Sequence, residues 1–438
     1  MKAAVIGAGI AGLAAAHRLG PHAQVTLYEA GRHFGGHAHT VDITLPDAQG
    51  RPVTHGVDTG FLVYNERTYP HLVRLLRQLD VATAPADMSF SVQVPQAFGD
   101  EGLEWSGSSL ASVFAQPANL ARPRFWRMLG ELLRFNRLAT AIAQAAADGE
   151  LRQPLGEFLR THGFSPEFEQ WYLLPMIGCI WSCPTEQMLR FPVGTLIRFC
   201  HNHGLLQVAD RPQWYTVRGG SREYVRRIVA GLRDARPATP VRELRREADG
   251  VQVRTDAGWE RFDCAILACH TDQALALLAD PSDEETRVLG AIRYQANRAV
   301  LHTDVSVLPT RRAAWAAWNF ERAAGDVGTR PVCLHYLLNK LQPLPWEQPV
   351  VETLNPVRPI APEHVLGEYE YAHPVFDERA VQAQSELGAI QGRRRTWFAG
   401  AWAGYGFHED GLKAGLLAAQ GALVQAEIAN QELTEMAA

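Results

Sequence analysis

Met1-Lys-Ala-Ala-Val-Ile-Gly-Ala-Gly-Ile-Ala-Gly-Leu13 is the stretch on which the reading of this chain turns. A short apolar strand, Ala3 to Ile6, runs into Gly7, Gly9 and Gly12, and an Ala/Leu-rich helix to about Leu19 follows. The first glycine permits a tight turn, the second lets a pyrophosphate approach the backbone, and the third lets helix pack on strand. The helix N-terminus that follows offers free N–H groups and a positive dipole end to phosphate. A second strand, Gln24 to Tyr28, ends in Glu29, where an acidic side chain would take the ribose hydroxyls of an adenine dinucleotide. Together these features predict a dinucleotide-binding β-α-β unit.

A chain of 438 residues exceeds one compact core, so about two domains are expected. Apolar content of 47% and charged content of 20% fit an ordinary globular protein, and a net charge of −5 argues against nucleic acid as a partner. Of the cations, only Lys2, Lys340 and Lys413 are lysine. Cys179, Cys183, Cys200, Cys264, Cys269 and Cys333 lie in apolar settings without paired C-x-x-C spacing, so reduced buried thiols are expected. His201 and His203 beside Cys200 lack a fourth ligand at a recognisable spacing, and no metal is expected. With a strand at residue 3 and no apolar run of spanning length, a cytoplasmic protein is expected, able to rest on the inner membrane face.

The chain is expected to visit one nucleotide-binding domain three times, over residues 1–80, 214–290 and 391–438. The second visit opens at Gly219-Gly220-Ser221, with strands at Val241, Val251 and Arg261 to Cys269 and a hairpin turn at Asp249-Gly250. The third holds Thr396-Trp-Phe-Ala-Gly400 and a long helix from about Gly411. Residues 81–213 and 291–390 are left for a substrate domain. In it, Phe125, Met128, Leu129, Leu132, Phe135 and Ala139 fall at helical spacing with Arg124, Arg127 and Arg134 on another face. That helix either packs on its own core or lies at a bilayer interface and admits a lipid tail. Trp171 to Trp181 reads as a buried helix interrupted near Pro175.

After Glu29 the chain reads Gly31-Arg-His-Phe-Gly35-Gly36-His37, and late in the chain Phe398-Ala-Gly400 precedes Gly404-Tyr-Gly406-Phe-His-Glu-Asp410-Gly411 and a helix. A second helix N-terminus of this kind can stabilise the negative charge of a reduced flavin. With Gly219-Gly220, these elements resemble the flavin-dependent amine oxidase, phytoene desaturase and protoporphyrinogen oxidase superfamily. Asp58-Thr-Gly-Phe-Leu-Val-Tyr-Asn65, Ile180-Trp-Ser182, Asn202 to Leu206, Gly219 to Val225 and Gly406 to Leu412 are similar to bacterial NAD/FAD-binding proteins found beside cyclopropane-fatty-acid-synthase-like methyltransferases.

The resemblance implies an α/β fold, a glutathione-reductase-type Rossmann FAD-binding domain with an inserted mixed α+β substrate domain. It implies non-covalent FAD, since no cysteine lies around Trp402 to Phe407. Carried over residue by residue, it places Gly7, Gly9 and Gly12 at the pyrophosphate, Glu29 at the adenosine ribose, and Gly35, Gly36 and His37 by the ribityl and phosphate region. Many members carry arginine at the position of His37. Asp58, Gly60 and Gly400 join the cofactor contacts, the Val241 backbone faces adenine, and Asp410, Gly411 and Leu412 sit at the ribityl and pyrimidine end.

For catalysis, His408 is the proton-transfer candidate, with a loop-fixing hydrogen bond as its alternative. Lys340 is the only lysine of the substrate segments, either a holder of water at the flavin or a surface residue. Trp402 and Tyr405 are candidates for an aromatic cage. The activity implied is dehydrogenation of an apolar, fatty-acyl-like lipid by hydride transfer to flavin N5, with a methyltransferase as functional partner. The alternatives are an amine oxidase producing peroxide, a non-redox flavin isomerase or mutase, and a flavin subunit active only beside a partner.

Overall fold

Five short parallel strands carry the nucleotide end, in the spatial order Asp234–Arg236, Gln24–Tyr28, Lys2–Ile6, Cys264–Leu267, Thr396–Phe398. In this computed structural model the described residues are 1–145, 153–182, 184–207, 211–323, 325, 328 and 331–437, so Cys183 lies outside them. The central strands are continuous apolar runs because both faces are covered. The helix Ile10–Leu19 packs beside His408–Ala437, which begins just after the last strand. Contact between the two helices depends on Gly415, where a Cβ would stand 2.0 Å from the Ala11 carbonyl oxygen.

The expected strand from Arg261 to Cys269 is two strands. Gly258–Phe262 closes an antiparallel trio with Val251–Thr255 and Glu243–Arg246, whereas Cys264–Leu267 joins the parallel sheet. Asp263 separates them by accepting the Lys2 backbone N–H at 2.6 Å. Arg246 anchors the trio: its side chain is fully buried and paired with Glu285, itself 3% exposed, and with Asp280 at 3.1 Å. Removing one partner of such a pair costs about 3–5 kcal/mol, because the other charge is left buried.

The second layer is a seven-stranded sheet ordered Val365–Val375, Arg293–His302, Val351–Leu354, Cys333–Leu337, Trp318–Glu321, Phe90–Val94, Leu103–Ser106. All its neighbours are antiparallel except Trp318–Glu321 with Phe90–Val94. Helices Pro123–Ala145, Leu174–Trp181 and Val193–Asn202 build the apolar core beside it. The interruption near Pro175 is real: Glu169–Leu173 winds as a wide π-type turn directly before it, since proline lacks the N–H an α-turn needs. Pro123–Ala145 buries Phe125, Met128, Phe135 and Ala139 and leaves Trp126 and Leu133 exposed.

The layers are tied by polar contacts as well as by packing. Tyr371, on the longest strand of the seven-stranded sheet, bonds Thr59 Oγ1 at 2.7 Å and His39 Nδ1 at 3.0 Å. Trp346 Nε1 donates to the Leu45 and Val53 carbonyls of the hairpin Thr40–Pro46/Pro52–Asp58. Strand Thr83–Ala86 pairs with Trp214–Val217, which also pairs with Tyr64–Asn65.

Candidate functional site

One cavity of about 1540 Å³ runs from the ends of the parallel strands to the surface of helix Pro123–Ala145. Gly7, Gly9, Glu29, Gly35, Gly36, His37, Gly60, Val241 and Gly400 all line it. The nucleotide end is shaped by missing side chains. Gly7 has φ +98°, and a Cβ there would stand 2.7 Å from the Ala268 carbonyl oxygen. At Gly36 (φ +58°) a Cβ would lie 3.1 Å from Gly9 Cα, and at Gly60 it would lie 2.2 Å from the His37 carbonyl oxygen. The Ala268 and Gly36 backbones therefore close on the first turn, Gly60 closes on His37 beside them, and the cavity between leaves room for a phosphate chain. Gly9 precedes the first residue of helix Ile10–Leu19, whose opening turn contains no acidic side chain to repel an anion.

Glu29 accepts the Ala8 N–H at 2.9 Å and the Gly31 N–H at 2.7 Å, one on each oxygen. Each oxygen keeps a second lone pair for a sugar hydroxyl. Gly12 lies behind the wall, where a Cβ would meet the Gly7 carbonyl oxygen at 1.8 Å, so its part is helix-on-strand packing. This cradle fits an adenine dinucleotide on geometric grounds. Cys179 and Cys269 also line the cavity, and burial raises both thiols, Cys269 to about 12, which disfavours thiolate chemistry.

Several residues expected at the cofactor are bonded to the loops that shape the wall. Asp58 is buried and accepts Thr40 Oγ1 at 2.5 Å, Ser221 Oγ at 2.7 Å and the Ser221 N–H at 2.9 Å. It pins the Gly219-Gly220 turn, and desolvation raises it to about 6 despite those donors. Asp410 likewise accepts the Tyr405 and Phe407 N–H groups at 3.1 and 3.0 Å, so it folds the loop before the last helix; burial raises it to about 6. Gly411 sits against Ile10, and Leu412 is in the core. None of Asp58, Asp410, Gly411 and Leu412 lines the cavity.

The two catalytic candidates part company. Lys340 is outside the cavity, its half-exposed ammonium 3.1 Å from Asp87, as expected of a strongly hydrated group at a domain surface. His408 does line the cavity, but its ring stacks on Phe61 at 3.9 Å and its Nε2 is hydrogen-bonded to the buried Tyr224 hydroxyl at 2.6 Å. Burial lowers it to about 3, so it is neutral at pH 7 and a weak base. Trp402 and Tyr405 line the cavity yet pack into different cores, with Trp402 Nε1 donating to the Cys269 carbonyl at 3.2 Å. They do not form a facing pair.

Residues that spacing did not reveal complete the middle of the cavity. Trp318 and Tyr336 meet edge to face at 5.0 Å, and His373 stands beside His37 with ring centroids 5.3 Å apart. Only strand pairing brings them there. Beyond them the wall turns apolar through Met176, Ile180, Leu129 and Leu132 to Leu110, Trp126 and Leu133. The last three are 81%, 49% and 49% exposed, so the cavity ends in an apolar mouth. Asn136 Oδ1 is buried in this stretch without a partner among the described residues.

Cys200 is buried and His203 Nδ1 bonds the Phe199 carbonyl at 3.0 Å. Among the described residues, Glu321, Cys333 and His335 hold ligand-type atoms within 4.8 Å of one another. Arg358 already occupies Glu321, at 3.0 Å and 3.2 Å to its two oxygens.

The family model for flavin containing amine oxidoreductases matches residues 10–423. No curated protein matches the chain at the sequence level. Among solved structures, the cyclohexylamine oxidase of Brevibacterium oxydans IH-35A superimposes with TM-score 0.69 at 17% identity, covering 97% of this chain and 99% of that one. The CLA-producing fatty acid isomerase of P. acnes gives 0.64 at 16% identity, with 94% and 96% covered. Putrescine oxidase bound to putrescine gives 0.65 at 15% identity, with 97% and 99% covered. At such identities the likeness speaks for the fold.

Proposed function

The chain belongs to the flavin containing amine oxidoreductases and is an FAD-dependent oxidoreductase, and from that premise we propose that its substrate is the acyl chain of a lipid, which it dehydrogenates. The observation that carries this reading is the continuity of the cavity from the glycine cradle to the exposed apolar mouth at Leu110, Trp126 and Leu133. A rim of large apolar side chains at an opening marks a site for an apolar partner. On the same helix Arg127 and Arg137 are exposed, while Arg124 pairs with Glu167 and Arg134 bonds the His162 and Gly163 carbonyls; Arg127 and Arg137 suit an anionic lipid surface. We read this mouth as the place where the protein rests on a bilayer and draws in one chain.

Bound FAD supplies the two-electron acceptor, and the protein supplies position and a water-poor wall. Leu129, Leu132, Met176 and Ile180 hold a chain by burial, at about 0.8 kcal/mol per methylene. Phe61 and Tyr224 fix the His408 ring where the tunnel approaches the cradle. Proposed cofactor contacts are Gly7, Gly9, Glu29, Gly35, Gly36, His37, Gly60, Val241 and Gly400, while Gly12, Asp58, Asp410, Gly411 and Leu412 act behind them.

The test is the visible spectrum of the purified holoenzyme under anaerobic conditions. Phosphatidylglycerol-containing vesicles should bleach the flavin band while an amine panel leaves it unchanged. Leu133→Asp should slow the lipid reaction yet leave dithionite reduction intact. Bleaching by amines with peroxide formed in air, and none by lipid, would replace this reading with amine oxidation. Lipid converted without lasting bleaching would point to isomerisation.

A further inference from the structure

His373 comes from strand Val365–Val375 of the seven-stranded sheet, yet it lines the cavity at the nucleotide end. Its ring is 5.3 Å from that of His37, which follows Gly36, the residue whose missing Cβ lets the chain close on Gly9. Its Nδ1 faces Asn297 Nδ2 at 3.1 Å. Which partner donates there is decided by neighbours that cannot change role.

Asn355 Oδ1 accepts the Arg298 backbone N–H at 3.0 Å, and Asn355 Nδ2 donates to the Val332 carbonyl at 3.1 Å, so both ends of that amide are assigned by main chain. Asn355 Nδ2 also donates to Asn297 Oδ1 at 2.8 Å. Asn297 Nδ2 in turn donates to the Gln295 carbonyl at 3.0 Å, a second main-chain anchor. The atom pointed at His373 Nδ1 is therefore a donor, and Nδ1 must be the bare, accepting nitrogen. In a neutral imidazole the proton then sits on Nε2.

We propose that Asn355 and Asn297 lock His373 in the Nε2–H tautomer, so that it offers a hydrogen-bond donor from the substrate sheet to an oxygen of the bound dinucleotide. The site's other features agree. Asn355 has φ +49°, a left-handed conformation that asparagine tolerates better than most residues, and its backbone N–H is held by the Arg298 carbonyl at 2.7 Å. Asn297 is 2% exposed, so the relay does not exchange its partners for water. Burial lowers His373 to about 4 and His37 to about 3, which keeps both rings uncharged at pH 7. His37 Nε2 is buried without a partner among the described residues, a second polar atom at the same wall. His373 is a binding residue in this scheme; Asn297 and Asn355 are positioning residues that act through it.

Two measurements on the full-length holoenzyme test the proposal. With ¹⁵N-labelled histidine, the His373 signal, assigned by its loss in His373→Gln, should show a protonated Nε2 and a bare Nδ1. Asn297→Leu should turn that single tautomer into a mixture. In FAD rebinding titrations, His373→Phe should weaken affinity by about tenfold, the scale of one hydrogen bond to a polar acceptor. His373→Gln, which restores an N–H, should stay within about threefold of the native protein. A native His373 protonated on Nδ1 overturns the relay. Equal FAD affinity in native protein and His373→Phe, or equal losses in the Phe and Gln variants, overturns the donor role.

Discussion

Consider the pair Tyr224 and His408 under substitution. Tyr224 is 0% and His408 8% exposed, and their 2.6 Å hydrogen bond ties the last helix to helix Arg222–Ala230 at the cavity wall. Tyr224→Phe keeps the ring and removes only the hydroxyl, so His408 Nε2 is left buried and unpaired. That costs about 1–3 kcal/mol. His408→Phe keeps an aromatic ring against Phe61 but orphans the Tyr224 hydroxyl, with a similar loss of about 1–3 kcal/mol. The double variant removes both polar atoms and keeps both rings. It should lie within about 1 kcal/mol of the worse single variant, giving a coupling energy of about 1–2 kcal/mol. Urea unfolding of the four proteins at pH 7, where His408 is neutral, measures this cycle. Strictly additive losses would mean that the bond contributes nothing beyond packing and does not hold the His408 ring.

Three further outcomes are expected. Stability should decline as pH falls from 6.5 toward 5. Burial depresses His37, His373 and His408 to about 3–4 in the fold, so the unfolded chain takes up protons there first, and each contributes a loss of about 1.4 kcal/mol per pH unit. Asp58 and Asp410, both raised to about 6, oppose this as they protonate below that pH, so a thermal melt should fall by less than the histidines alone imply; a melt that rises over the range would refute the sign. Lys340→Ala should change stability by under about 1 kcal/mol and leave the flavin spectrum alone, because the residue forms a half-exposed ion pair with Asp87. Gly36→Ala should abolish FAD retention on gel filtration, since its Cβ would press on Gly9 from a backbone at φ +58°; a yellow, FAD-loaded variant would contradict the cradle.

The first β-α-β unit was legible because its glycines are demanded by local geometry, and Gly7, Gly9, Gly35 and Gly36 stand where their spacing implied. Asp58 and Asp410 were expected at the cofactor, and their bonds to the loops behind the cavity wall could not be foreseen, for a physical reason. A buried carboxylate in a glycine-rich loop satisfies backbone N–H groups as readily as it meets a ligand, and sequence does not tell the two apart. Lys340 was singled out by rarity, which says nothing about direction. Strand Asp234–Arg236 is three half-buried residues at a sheet edge, too short and polar for any periodicity to announce it. His373 and Tyr336 were invisible because they reach the cavity through cross-strand register between segments far apart in the chain.

The helix His408–Ala437 has a consequence for how the protein is made. It seals the first helix through Gly415 and follows directly on the strand Thr396–Phe398 that forms one edge of the parallel sheet. On the ribosome, the opening β-α-β unit emerges roughly 400 residues before these partners, at about 5–20 residues per second. For some tens of seconds the nascent chain carries a glycine fingerprint whose sheet and helix layer are unfinished. Cofactor capture should therefore wait until the strand Thr396–Phe398 and the helix after it have emerged, and a polypeptide stalled before residue 396 is expected to stay colourless.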